Sequence, residues 1–115
     1  MSTKVAVIGV GSMGKNHARV YWEMAGTELV GVADTNETTV SSIATRYSTK
    51  AYYDYRKMLD EQKPDAVTIC VPTSKHLEIA LEVVQRGIHL LVEKPIAFNI
   101  EEGKKIIEAA RKADV

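Results

Sequence analysis

Two features of this chain could do chemistry together: the run Gly9-Val10-Gly11-Ser12-Met13-Gly14, and Asp34, twenty residues beyond Gly14. The chemistry they suit is the holding of a dinucleotide. An apolar run, Lys4 to Ile8, leads into the glycine turn, and a helix opens out of it. Gly9 permits the tight turn out of the strand. Gly11 has no Cβ, so a pyrophosphate can approach the backbone. Gly14 lets the helix pack close to the strand. Val10, Ser12 and Met13 complete the turn and are read with it as cofactor contacts. The helix N-terminus offers unpaired N–H groups and a partial positive charge to phosphates. Asp34 ends a second apolar run, with Thr35 beside it. Its carboxylate can accept hydrogen bonds from both hydroxyls of an adenosine ribose. It would repel a 2′-phosphate, which argues for NAD over NADP. A glycine turn alone is a weak signal; the strand before it, the helix after it and the acid make it a strong one.

Two further segments narrow the reading. Val71-Pro72-Thr73-Ser74-Lys75-His76 follows the fourth apolar strand, and Val92-Glu93-Lys94-Pro95 follows the fifth. Both fall at carboxyl ends of central strands, where open parallel sheets put their ligands. With these segments the chain resembles, along its whole length, the N-terminal domain of the Gfo/Idh/MocA oxidoreductase family. The Gly14 to Tyr21 run most resembles the family's nucleotide-sugar dehydrogenases.

The resemblance implies an NAD-dependent dehydrogenase acting on the CH–OH of a sugar, nucleotide sugar or cyclitol. It implies that Lys94 is the catalytic lysine, reaching both nicotinamide ribose and substrate hydroxyl. Glu93 is implied as a contact on the nicotinamide side, and Pro95 as a cis or otherwise rigid turn. Val71, Pro72, Thr73 and His76 match the stretch that lines the cofactor near its ribose groups. The residue types alone allow blander roles. Lysine is usually solvated, His76 could cap a helix, and His17 and His89 read as packing or surface histidines.

Those residues must be positioned by a fold, and strand and helix patterns alternate throughout. This is the signature of a parallel sheet covered on both faces. Strands are expected at Lys4 to Ile8, Glu28 to Ala33, Lys50 to Tyr52, Ala66 to Val71 and Ile88 to Val92. Helices are expected from about Ser12 to Ala25, from Asn36, from Asp54, from Ser74 to Arg86, and from Asn99. The first should bury Met13, His17, Val20 and Met24. The second should bury Val40, Ile43, Ala44 and Tyr47, and the third Met58 and Leu59. The fourth should turn Leu77, Ala80, Leu81 and Val84 inward, and the last Ile106, Ile107 and Ala110. Asn36, Asp54 and Asn99 are N-caps by type, Asn99 with Glu102 as a capping-box-like pair. Tyr52, Tyr53 and Tyr55 read as packing at a sheet edge.

The expected architecture is an α/β dinucleotide-binding (Rossmann) fold, a doubly wound parallel sheet of order 3-2-1-4-5. The expected domain is 1–115, lacking a sixth strand and a C-terminal substrate domain. Binding without turnover is then expected of these residues alone. The full-length protein is expected to be a homo-oligomer, and this stretch a monomer or a dimer through an exposed edge strand. A stand-alone module that senses NAD(H) without catalysis is the alternative.

Composition bounds the partners. Lys plus Arg and Asp plus Glu number 15 each, so no basic surplus suits a nucleic-acid backbone. No apolar stretch approaches a membrane span or a signal peptide. The single Cys70 cannot form an internal disulfide and reads as a buried strand thiol. The expected setting is cytoplasmic, the partners small molecules, and no metal site is expected.

Overall fold

The computed structural model describes residues 2–115. Five strands, β1 (Thr3–Ile8), β2 (Thr27–Ala33), β3 (Ala51–Tyr52), β4 (Ala66–Ile69) and β5 (His89–Val92), form one sheet in the order β3-β2-β1-β4-β5. Every pairing is parallel. The expected doubly wound order is the order found. Its cause lies in the strand interiors. Val5 to Ile8, Val30 to Ala33 and Val67 to Ile69 are buried without alternation, as strands covered on both faces must be.

Two cores lie on opposite faces of that sheet. One gathers Ile8, Val30, Met58, Leu59, Ile69, Ile79, Val83 and Ile106, against α3 (Tyr55–Gln62), α4 (His76–Gln85) and α5 (Ile100–Ala113). The other gathers Val7, Val10, Ala18, Val32, Val40, Ala44 and Tyr47, against α1 (Gly14–Glu23) and α2 (Glu37–Arg46). Successive residues Val7 and Ile8 point to different cores, which is the period-2 geometry of a strand. The caps expected on α2, α3 and α5 are present. Asn36 accepts from the Thr39 N–H at 3.0 Å, Asp54 from Arg56 at 2.9 Å, and Asn99 from Glu102 at 2.9 Å.

Several helix faces depart from the apolar periodicity. In α1, Met13, Val20 and Met24 are close to half exposed, and the buried residues are Gly14 and Ala18. The reason is backbone contact. Gly14 lies directly against the Gly9 carbonyl, which fixes the rotation of the helix and points the small residues inward. Tyr21, on that same inner side, reaches the fully buried Thr68 hydroxyl. In α4, Leu81 faces out and the inner face is His76, Ile79, Ala80, Val83 and Val84. The segment before it, Thr73–Lys75, is a 3-10 turn, so the α-helix starts two residues later than expected. In α5, Ile107 is exposed and Gly103 and Ile106 are buried. Gly103 faces Ala97 and Ile96 at a distance where an added Cβ would make ordinary contact, 3.7 and 3.8 Å. His89 is exposed on β5, an edge strand, and does not pack.

Candidate functional site

The carboxyl ends of β1, β2, β3 and β4 open onto one groove of about 500 Å³, a size that fits part of a small-molecule ligand. Its lining includes Gly9, Gly11, Asp34, Thr35, Val71 and Pro72, six of the residues singled out from sequence. The groove lies where β1 and β4 are neighbours, the point at which the strand order reverses.

Main-chain bonds tie the loops at these strand ends together. Gly9 N–H donates to Ala33 O at 2.7 Å, Cys70 N–H to Ile8 O at 2.8 Å, and Glu93 N–H to Ile69 O at 3.0 Å. Gly9 has a φ of 89°, in the left-handed region. Gly11 is a different case: a Cβ there would meet nothing within 4 Å and its φ is not positive. The fold itself makes no demand for glycine at Gly11. The demand would come from a ligand that lies against the backbone.

Helix α1 begins beside that open position. Its N-terminus has no side-chain cap and no acidic residue in the first turn, unlike α2 and α5, which have both. The leading N–H groups and the positive end of the helix dipole are thus left for an anion. Val10, Ser12, Met13 and Gly14 make up this turn and helix start.

Asp34 has a second duty that its sequence position did not reveal. Its Oδ2 accepts from the Val10 N–H and its Oδ1 from the Asn36 N–H, each at 2.9 Å. The acid therefore locks the glycine turn to the loop after β2. Each carboxylate oxygen keeps a further lone pair, so a diol can still be received.

Tyr53, Asp54, Tyr55 and Arg56 line the far side of the groove, with Lys75 and Glu78. Sequence reasoning missed them because it placed the tyrosines at a sheet edge. Tyr52 does pack there, buried, its hydroxyl joined to Glu61 and Gln62. The available signal was topological: the β3 end must open on the same side as the β1 and β2 ends. The Arg56 guanidinium lies 4.8 Å from the Tyr55 ring centre and donates to Glu82 at 2.7 Å. Glu82 also accepts from Arg86, at 2.9 Å, so the two guanidinium groups share its carboxylate. Burial pushes the Tyr55 phenol up, and its hydroxyl oxygen is buried without a hydrogen-bond partner among the described residues.

His76 is 1% exposed. It does not line the groove but sits beneath it. Its imidazole spans two carbonyl oxygens, Val71 O at 3.0 Å from Nε2 and Ile96 O at 3.1 Å from Nδ1. It therefore ties the loop after β4 to the loop after β5. Thr73 opens the 3-10 turn above it.

Glu93, Lys94 and Pro95 follow β5, and the Lys94–Pro95 peptide is cis. Lys94 is exposed. The Glu93 carboxylate meets His17 Nε2 of α1 at 3.1 Å. Cys70 is part-buried, one residue past β4. Burial, reinforced by the Glu93 charge, pushes its thiol up to about 11 from 9.0. The thiol is accordingly neutral at pH 7 and a poor nucleophile. Alkylation by iodoacetamide at pH 8 is expected to run about 100-fold slower than for a free thiol and to accelerate as pH rises toward 11. Timed mass spectrometry of the folded chain checks this; a rate equal to that of the urea-unfolded chain would contradict it.

Among the described residues no helix is long and apolar enough to cross a membrane. A family model described as an oxidoreductase family with an NAD-binding Rossmann fold matches residues 3–115. The chain belongs to the Gfo/Idh/MocA oxidoreductase family. Within it, the chain is 36% identical over 108 residues to UDP-N-acetylglucosamine 3-dehydrogenase of Acidithiobacillus ferrooxidans, covering 94% of this chain and 33% of that protein. It is 34% identical over 111 residues to D-glucoside 3-dehydrogenase of Escherichia coli, covering 95% of this chain and 32% of that one. The WlbA dehydrogenase of Bordetella pertussis, solved with NADH and UDP-GlcNAcA, superposes with a TM-score of 0.94 at 28% identity, over 100% of this chain and 36% of its own. The chain thus spans about one third of the length of the curated relatives it matches.

Proposed function

We propose that this chain is the cofactor half of an NAD-dependent dehydrogenase that oxidises a hydroxyl of a sugar or nucleotide sugar. The observation that carries the reading is the uncapped start of α1 beside the open backbone at Gly11, with Asp34 on the same groove. Those features fit two adjoining parts of an ADP unit: N–H groups for the pyrophosphate, a carboxylate for the adenosine ribose diol. NAD supplies the hydride acceptor. Asp34, on the same groove, sets a like charge against a 2′-phosphate and favours NAD over NADP.

The site residues divide by position. Gly9, Val10, Gly11, Ser12, Met13 and Gly14 hold the pyrophosphate, and Asp34 with Thr35 the adenosine ribose. Val71, Pro72 and Thr73 lie along the cofactor's middle, with His76 holding their loop from below. Glu93 and Pro95 shape the nicotinamide end. Lys94 takes the proton that the carbinol releases as hydride leaves. The substrate, its remaining acid–base groups and the assembly interface belong to the part of the protein that the longer relatives carry beyond this domain. Alone, residues 1–115 bind NAD(H) but cannot orient a sugar, and orientation is worth several orders of magnitude in rate.

The test is a Lys94→Ala change in the full-length protein. Turnover is expected to fall by about 10²–10⁴-fold, with NADH affinity changed far less. Equal losses in turnover and in NADH affinity would make Lys94 a binding residue and overturn its catalytic assignment.

A further inference from the structure

His17, Cys70 and Glu93 converge from three separate elements: α1, the end of β4 and the end of β5. Their donor atoms, an imidazole nitrogen, a thiol sulfur and a carboxylate oxygen, all lie within 4.8 Å of one another. We propose that these three side chains form a binding site for one thiophilic divalent cation of the zinc class. The proposal uses neither the glycine turn nor Asp34, but it shares Glu93 with the nicotinamide end and Cys70 with the lining of the groove.

The geometry is close to that of three neighbouring ligands in a tetrahedral site. Zinc–nitrogen and zinc–oxygen bonds of about 2.0–2.2 Å place adjacent N and O ligands about 3.3–3.5 Å apart. His17 Nε2 and Glu93 Oε2 stand 3.1 Å apart in a hydrogen bond, a few tenths of an ångström short of that spacing, so the ion would take the place of the bridging proton, which leaves to solvent. A zinc–sulfur bond of about 2.3 Å puts the sulfur about 3.5–3.7 Å from its neighbours. Cys70 Sγ lies within 4.8 Å of the other two donors, so it has at most about 1 Å to close. The backbone beneath need not move. Cys70 N–H is pinned to Ile8 O at 2.8 Å, and Glu93 N–H to Ile69 O at 3.0 Å.

The donor set selects the ion. One sulfur, one imidazole and one carboxylate suit Zn²⁺ or Co²⁺; Mg²⁺ and Ca²⁺ require oxygen ligands throughout. The carboxylate's partner among the described residues is His17, so no lysine or arginine needs to be displaced from it. All three side chains are part-exposed, which gives the ion a path in. Three protein ligands leave a fourth position for water or an added ligand. A bound ion would join α1 to the ends of β4 and β5 and so stiffen the strand-end loops.

The experiment is a Co²⁺ titration of the purified 115-residue chain, followed by near-ultraviolet and visible absorption. The expected result is a thiolate-to-cobalt band, formed as the Cys70 thiol proton leaves to solvent, that saturates at one equivalent and is displaced by Zn²⁺. Cys70→Ser is expected to abolish the band, and His17→Gln and Glu93→Gln each to weaken Co²⁺ binding by about 10-fold or more. Circular dichroism checks the fold of each variant. The wild-type chain alone can decide against the proposal: absence of a saturable band overturns it. A band in the wild type whose affinity is unchanged in folded His17→Gln and Glu93→Gln also overturns it, because the thiol would then be acting alone.

Discussion

Replacing Gly14 by alanine is expected to abolish cooperative folding, while the same change at Gly11 leaves the fold intact. A Cβ on Gly14 would fall inside the Gly9 carbonyl group and only 3.2 Å from Cys70 Cβ. The Gly9 obstacle is backbone, held by its own N–H bond to Ala33 O. It cannot rotate away as a side chain could. Helix α1 would have to lift from the sheet, giving up the Ala18 and Tyr21 contacts that seal its core. The expected loss exceeds about 4 kcal/mol, at the diagnostic end of single-residue effects and a large part of a small domain's stability. Gly11 has open space and an ordinary φ, so Gly11→Ala is expected to leave stability within about 1 kcal/mol. It is nevertheless expected to weaken NADH binding by about 10-fold or more, or about 1.4 kcal/mol, because a methyl group would stand where the pyrophosphate meets the backbone. Urea unfolding and NADH titration of both variants check the pair. A well-folded Gly14→Ala, or a Gly11→Ala with undiminished NADH affinity, would contradict the account of the turn.

Replacing Asp34 by alanine is expected to weaken NADH by about 100-fold and NADPH by much less. Hydrogen bonds to a charged group contribute about 1.5–3 kcal/mol each, and a ribose diol offers two. The same change removes the acceptor for Val10 N–H and for Asn36 N–H, so the turn itself loosens. That second effect falls on both cofactors alike. The first falls on NADH alone, because with NADPH the lost attraction is offset by relief of repulsion with the 2′-phosphate. The ratio of the two losses therefore isolates the ribose contact. Calorimetric titration with each cofactor measures it. Equal weakening would leave Asp34 as a fastener of the turn and nothing more.

These residues also mark what the sequence could and could not disclose. The glycine turn and the caps at Asn36, Asp54 and Asn99 were legible because each rests on local spacing or residue type, and the strand order followed from the dinucleotide-binding fold the turn implied. The buried face of α1 was not legible, and that of α5 was only in part: Ile106 is buried as expected and Ile107 is not. Met13, Val20 and Met24 form an apolar stripe at helical spacing, yet the close approach of Gly14 to Gly9 turns the helix away from it. Ile107 likewise yields its place to Gly103, which packs on Ala97. The site was half legible. Gly9, Gly11 and Asp34 announce themselves by motif. Tyr53, Tyr55 and Arg56 enter the groove because β3 lies parallel to β2, which the expected strand order contained; they were missed because the tyrosines were read as edge packing. The meeting of His17 with Glu93 joins residues 76 positions apart, and nothing in either local sequence points to the other. His76 carried a motif but not its role. Its burial between two carbonyl oxygens makes it a tie between loops.

The central claim is that this groove holds NAD through the glycine turn and Asp34. Parallel fluorescence titrations of the unmodified chain with NADH and NADPH test it most directly. The account predicts saturable one-to-one binding of NADH, about 10-fold or more tighter than NADPH, because a 2′-phosphate beside Asp34 meets like charge. Tighter binding of NADPH, or no saturable binding of either, would contradict it.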